Sequence, residues 1–194
     1  VKQKVIYDNR FWSGLFYAVS WCFLKLSGWK VVGEIPAQKK LVIIGAPHTS
    51  NWDFPVLMAL VGFKRLRVSY LGKHSLFKNP QGRFFYYLGG IPVNRKSPDA
   101  KDIVEQVVGE FNERDHVWLG VAPEGTRTKV DKWKTGFYRI AAAAGVPIAP
   151  VFIDGKNKKM GFGPVMQLSE DMQDDIAKLQ AFYAPIKGIK PQNQ

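Results

Sequence analysis

The alternation of short apolar runs with longer helix-period segments predicts a single α/β domain with a mostly parallel central sheet flanked by helices. Three observations carry that expectation. Runs such as LVIIGA, from Leu41, are β-branched and continuous rather than alternating, the pattern of a strand buried on both faces. Segments such as DAKDIVEQVVGEFNER separate those runs and carry helical periodicity, so strand follows helix along the chain. A length of 194 residues suits one such domain and leaves little for a second.

The first element, RFWSGLFYAVSWCFLKLSGW from Arg10 to Trp29, reads as an aromatic helix. Its 16 residues from Phe11 to Leu26 are interrupted only by Ser13, Ser20 and Lys25, which is short against the roughly 20 apolar residues of a spanning helix. Trp12, Trp21 and Trp29 supply bulk together with Phe11, Phe16, Tyr17 and Phe23, and Arg10, Lys25 and Lys30 flank them. That composition fits a helix lying in a membrane interface, and a buried first helix packed on the domain is the other reading. No small-residue cleavage site follows, so no cleaved signal is expected.

After a turn at GEIPAQKK, LVIIGA is a strand and DFPVLMALVGF a helix, with Asp53 as its N-cap and Pro55 in its first turn. Further strands are expected at RVSYLG, GIPVN, VWLGVA and PIAPVFI, and helices at GRFFYYLG, DAKDIVEQVVGEFNER and KTGFYRIAAAAG. Gly145 and Pro147 stop the last of these helices. Beyond GKNKKMGFGP one weak helix, SEDMQDDIAKLQAFYA, remains, and the tail PIKGIKPQNQ reads as loose.

The formal net charge of +12 falls entirely in residues 1–97, while residues 98–194 balance to zero. Such asymmetry points to a polyanion: nucleic acid, an anionic membrane, or an acidic or phosphorylated partner. The lone cysteine, Cys22, excludes an internal disulfide and a cysteine-based metal cluster. His48, His74 and His116 lack ligand spacing, so no metal site is expected. G-x-x-x-x-G-K-[ST] and G-x-S-x-G are absent, and GFGPVM lacks the third glycine of a dinucleotide loop.

Four polar blocks adjoin expected strands: PHTSNWD, GGIPVNR, APEGTRTK and VPIAPV. In open parallel sheets the loops at the carboxyl ends of strands share one edge, so distant blocks can converge there. His48 and Asp53 stand about 140° apart on a regular helix, so they can meet only if His48 lies on the loop before it. The pair then has the logic of a general base whose second ring nitrogen is held by a carboxylate. With no serine nucleophile at hand, a substrate hydroxyl would attack directly. On the PEGTR turn, Arg127 offers a bidentate fork for phosphate and Gly125 allows close backbone approach, while Thr126 adds a hydroxyl. Arg95 offers a second fork. Glu124 suits an ion pair orienting Arg127 as well as it suits substrate contact.

Taken together, H-x-x-x-x-D at His48 to Asp53, G-x-I-x-x-x-R at Gly89 to Arg95, E-G-T-R at Glu124 to Arg127 and V-P-I-x-P-V at Val146 to Val151 resemble the glycerolipid acyltransferase family that includes 1-acylglycerol-3-phosphate acyltransferases. The resemblance covers roughly Leu41 to Ile153 and extends to the order and spacing of the blocks. It implies a glycerol-3-phosphate acyltransferase-like fold, with residues 1–30 a membrane-interface helix and residues 31–194 the acyltransferase domain. It also implies transfer of a fatty acyl group from acyl-CoA or acyl-carrier protein, as co-substrate and with no cofactor, to a hydroxyl of a lyso-phospholipid or glycerol-phosphate acceptor. By the same resemblance His48 is the base, Asp53 its orienting partner, and Arg95 and Arg127 the phosphate grip. Glu124, Gly125 and Thr126 shape the pocket, and Lys73 in LGKHSLFKNP is a further phosphate or donor contact.

Pro47, Asn94, Ala122 and Thr128 depart from the usual family residues without removing a catalytic group, and they bear on which acceptor fits. The implied partners are an anionic membrane surface and an acyl-carrier protein, and the implied location is the cytoplasmic face of a membrane, peripheral or monotopic. The basic first half would then serve docking, at about 1 kcal/mol for each Lys or Arg near anionic lipid. A basic nucleic-acid or anionic-membrane binding module without catalysis is the alternative reading of the charge. It leaves the four blocks unexplained, and the aromatics cluster in the N-terminal run rather than interleaving with Lys and Arg, so no nucleic acid is expected as partner.

Overall fold

A computed structural model of the chain describes residues 5–78, 80–93 and 100–194. Among the described residues seven strands form one sheet: β1 (Lys30–Val32), β2 (Lys40–Ala46), β3 (Val68–Lys73), β4 (Gly90–Val93), β5 (Val117–Val121), β6 (Ile148–Asp154) and β7 (Lys159–Phe162). Their spatial order is β1-β7-β6-β2-β5-β3-β4. The pairs β6–β2, β2–β5, β5–β3 and β3–β4 are parallel, and β7 runs antiparallel to β6 with β1 parallel to β7.

The five parallel strands are the five expected from the apolar runs. The two missed strands are β1, only three residues long, and β7, where GKNKKMGFGP reads as a glycine-rich connection. Gly161 explains the second miss. It sits at φ 159°, and a Cβ there would clash with the Val32 carbonyl of β1, so this glycine is what lets the outer strand pair form. Pro92 lies in β4 at the sheet's other edge, where a missing ladder donor is tolerated.

β2 lies at the centre and its side chains alternate between two cores. Leu41 and Ile43 join one face with Val56, Leu60 and Trp118; Val42, Ile44 and Ala46 join the other with Phe111, Phe137 and Tyr183. The first core is roofed by α1 (Arg10–Ser27) and α2 (Asp53–Phe63). The second is covered by α5 (Ala100–Glu113), α6 (Gly136–Ala144) and α7 (Met172–Tyr183). Two short helices, α3 (Ser75–Lys78) and α4 (Gly82–Tyr87), link β3 to β4, and α3 is a further element that the sequence pattern does not announce.

α1 begins at Asn9, whose carboxamide oxygen accepts from the backbone N–H groups of Phe11 and Trp12, and ends at Gly28 in the left-handed region at φ 74°. It packs on α2 at Gly62, where a Cβ would clash with Ser20 Oγ and press on the Phe16 ring. Ser20 and Leu24 are buried on that side. Steps of 100° place Phe11, Trp12, Leu15, Val19, Cys22 and Leu26 in one arc of about 100° on the opposite side, and all six are exposed. One face of this helix is thus packed on the domain, and the other is apolar and open. Among the described residues no helix is long and apolar enough to cross a membrane.

Candidate active site

β2 delivers the chain to the carboxyl edge of the sheet at Ala46, and the loop from Pro47 to Trp52 turns it back into α2. Trp52, not Asp53, takes the cap position, and Asp53 is the first helical residue. Its carboxylate turns away from its own helix toward the preceding loop. Asp53 Oδ2 accepts from Thr49 N–H at 2.7 Å and Ser50 N–H at 2.8 Å, and His48 Nδ1 lies 3.0 Å from it. With Asp53 Oδ2 accepting from two backbone N–H groups, His48 Nδ1 is placed to donate to the same oxygen, which leaves Nε2 outside that contact. Asp53 Oδ1 is buried without a hydrogen-bond partner among the described residues.

Glu124, 76 residues further along, meets the same loop: one carboxylate oxygen accepts from His48 N–H at 2.8 Å. Burial pushes the Glu124 carboxyl above its ordinary value, opposed by that hydrogen bond and by the His48 charge, and the neighbouring Asp53 charge adds to the rise. Glu124 forms no ion pair with Arg127, which makes none among the described residues. Its contact in the structure is thus with the base-bearing loop rather than with the guanidinium.

Gly125 occupies the left-handed region at φ 65°, as a tight turn after β5 requires. A Cβ there would stand 3.0 Å from Lys134 Nζ, so the Lys134 side chain lies across the PEGTR turn. Thr126 Oγ1 is 3.1 Å from Thr128 Oγ1 and is engaged within the turn. Lys73 is exposed at the carboxyl end of β3. Arg95 lies outside the described residues. The structure thus joins His48, Asp53 and Glu124 directly and puts Gly125, Thr126 and Arg127 on the adjoining turn.

Two other residues at this edge carry no sequence signal. Lys134 opens the segment before α6, with nothing in its spacing to tie it to Gly125. Thr49 is almost fully buried inside the His48 loop, and its hydroxyl and carbonyl find their partners in residues 190–193. The tail expected to be loose is held at both positions.

An apolar cavity of about 180 Å³ runs between the sheet and α2. Pro47, His48 and Asp53 line one end, at the carboxyl edge; Leu66 and Val68 line the other, toward the amino end of β2. A more polar cavity of about 230 Å³ lies by Pro47 and Glu124 and is lined also by Lys129, Gln180 and Asn193. A His–carboxylate pair at the end of an apolar slot, its carboxylate buried and its imidazole 28% exposed, with cations on the neighbouring turn, is chemically suited to take a proton from an amphiphile's hydroxyl.

The comparisons with known proteins identify the family. The family model described as Acyltransferase matches residues 29–154. The 1-acyl-sn-glycerol-3-phosphate acyltransferase of Haemophilus influenzae is 31% identical over 143 residues, 70% of this chain and 58% of that protein. Its namesake from Escherichia coli is 28% identical over 153 residues, 70% of this chain and 61% of that protein. The crystal structure of the 1-acyl-sn-glycerophosphate (LPA) acyltransferase of Thermotoga maritima superposes with a TM-score of 0.63 at 19% identity, covering 89% of this chain and 77% of that one. At that identity the likeness speaks for the fold. The chain belongs to the acyltransferase family, and it spans about three fifths of the length of the curated relatives it matches.

Proposed function

We propose that the site transfers a fatty acyl group from a thioester donor, acyl-CoA or acyl-carrier protein, to a hydroxyl of a lyso-phospholipid or glycerol-phosphate acceptor. The observation that carries this reading is the position of the His48–Asp53 pair at one end of the apolar cavity, where an acyl chain lying between α2 and the sheet would present its thioester to the imidazole. His48 Nε2 takes the proton of the acceptor hydroxyl as its oxygen attacks the thioester carbonyl. The carbon–sulfur bond then breaks and the thiolate, with a free pKa near ~8.5, leaves as thiol after taking the proton back from the imidazolium. Asp53, fixed by two backbone donors, holds the tautomer throughout. No covalent acyl-enzyme is needed, because a thioester is already activated and proximity supplies much of the rate.

Arg127, Arg95 and Lys134 are the cations for the acceptor phosphate, with Lys73 reserved for phosphate or donor at the same edge. The names of the relatives support lysophosphatidic acid as the first acceptor to test. The exposed apolar arc of α1 supports docking on an anionic membrane, and the basic first half also suits an acidic carrier protein.

The test is thiol release from a long-chain acyl-CoA or acyl-carrier protein, with lysophosphatidic acid, other lyso-phospholipids and glycerol 3-phosphate as acceptors. Release is expected to require an acceptor, and His48→Ala is expected to lower it by about 100-fold or more. Acceptor-dependent turnover that survives in His48→Ala removes His48 from the mechanism. No release with any donor and acceptor pair overturns the transfer itself.

A further inference from the structure

We infer that the segment 185–194 belongs to the catalytic apparatus, with Asn193 as a positioning residue for the His48–Asp53 loop; the inference rests on the acyl-transfer reading above. The segment leaves α7 and crosses the carboxyl edge of the sheet. Ile186 packs into the core on the α5–α7 side and Ile189 against the core on the α1–α2 side. On its way Lys187 accepts from Gly155 N–H at 2.7 Å. Asn193 Nδ2 donates to the Thr49 carbonyl at 2.9 Å, and Lys190 N–H donates to Thr49 Oγ1 at 3.1 Å.

The close approach is built in at two glycines. A Cβ on Gly188 would stand 2.5 Å from Thr49 Oγ1, and one on Gly155 would stand 2.6 Å from Ile189 Cα. Gln194 ties the segment to itself, its Nε2 donating to the Ile186 carbonyl at 2.8 Å while its Oε1 accepts from Gly188 N–H at 3.3 Å.

Thr49 is the residue that this segment fixes, and Thr49 stands between His48 and Ser50. Its own N–H is the shortest of the bonds to Asp53 Oδ2. Three separate parts of the chain therefore hold three consecutive residues: Asp53 from α2, Glu124 from the turn after β5, and Asn193 with Lys190 from the segment 185–194. Without the last of these, the Thr49 carbonyl and hydroxyl lose their partners at a buried position, and the loop regains freedom where Asp53 grips it. Asn193 also lines the polar cavity beside Glu124, so the segment is a wall of the site as well as its brace.

Two variants test this: Asn193→Ala, and Asn193→Asp, which keeps the shape and replaces the donor by an acceptor. Both are expected to speed amide exchange in the peptide containing residues 48–50 by about tenfold or more, beyond what any fall in the global unfolding midpoint accounts for. Both are also expected to lower kcat by about tenfold or more while KM for donor and acceptor stays put, since a misplaced base slows the chemical step without loosening substrate. A purely structural role for Asn193 would move the unfolding midpoint and leave local exchange alone, which overturns the inference. So does wild-type exchange or wild-type kcat in Asn193→Asp. If the loop loosens as expected while the wild-type protein transfers no acyl group, the brace stands and the acyl-transfer reading falls.

Discussion

At His48 the geometry divides labour between two carboxylates. Asp53 faces the ring and Glu124 faces the backbone, so only the first touches the imidazole. Glu124 carries a measurable signature, because burial raises its carboxyl above the ordinary value. Between those two values the folded chain holds a proton that the unfolded chain has released, so Glu124's contribution to the unfolding free energy falls as pH rises through that window. Glu124→Gln abolishes that contribution and keeps an oxygen to accept from His48 N–H. Urea unfolding between about pH 4 and 7 is expected to show wild type losing stability relative to this variant as pH rises. The opposite trend would mean that the hydrogen bond from His48 outweighs burial. His48 with Asp53 and the PEGTR turn were legible in the sequence because each is a local pattern. The Glu124–His48 contact was not, since nothing in the residues near Glu124 names a partner 76 positions away.

At the scale of the element, α1 is built for two environments. Its inner side closes on α2 through Ser20, Phe16 and Gly62, and its outer arc leaves Phe11, Val19 and Leu26 at 71%, 58% and 89% exposure. Glutamates at Leu15 and Val19 place charge in the middle of that arc without touching the packed side. The double variant is expected to keep its thermal unfolding profile and to lose cosedimentation with phosphatidylserine-containing vesicles by about tenfold. Undiminished binding would rule out this arc as a membrane-docking face. The periodicity of this helix was readable, and its division into two faces was implicit in the helical step. β1 and β7 were not readable, because Lys30–Val32 is shorter than any period and β7 depends on a glycine whose value appears only beside Val32.

For the whole molecule, the parallel core was legible because β2, β5 and β6 consist of continuous apolar runs that only a doubly covered sheet explains. The tail was not, because its attachments to Thr49 are single hydrogen bonds from Asn193 and a backbone amide, with no pattern to betray them. These attachments join residues 141 and 144 positions apart, across a sheet whose central pairs are themselves long-range. Loop-closure entropy makes such contacts late. Pulse-labelling during refolding is expected to protect the amides of β2, β5 and β6 first and the Lys190 amide, which donates to Thr49, afterwards; simultaneous protection would refute that order. On the inference drawn above, the feature that braces the loop also sets a clock: the chain can be compact and well ordered while still incompetent, and competence follows only once residues 185–194 cross the edge of the sheet.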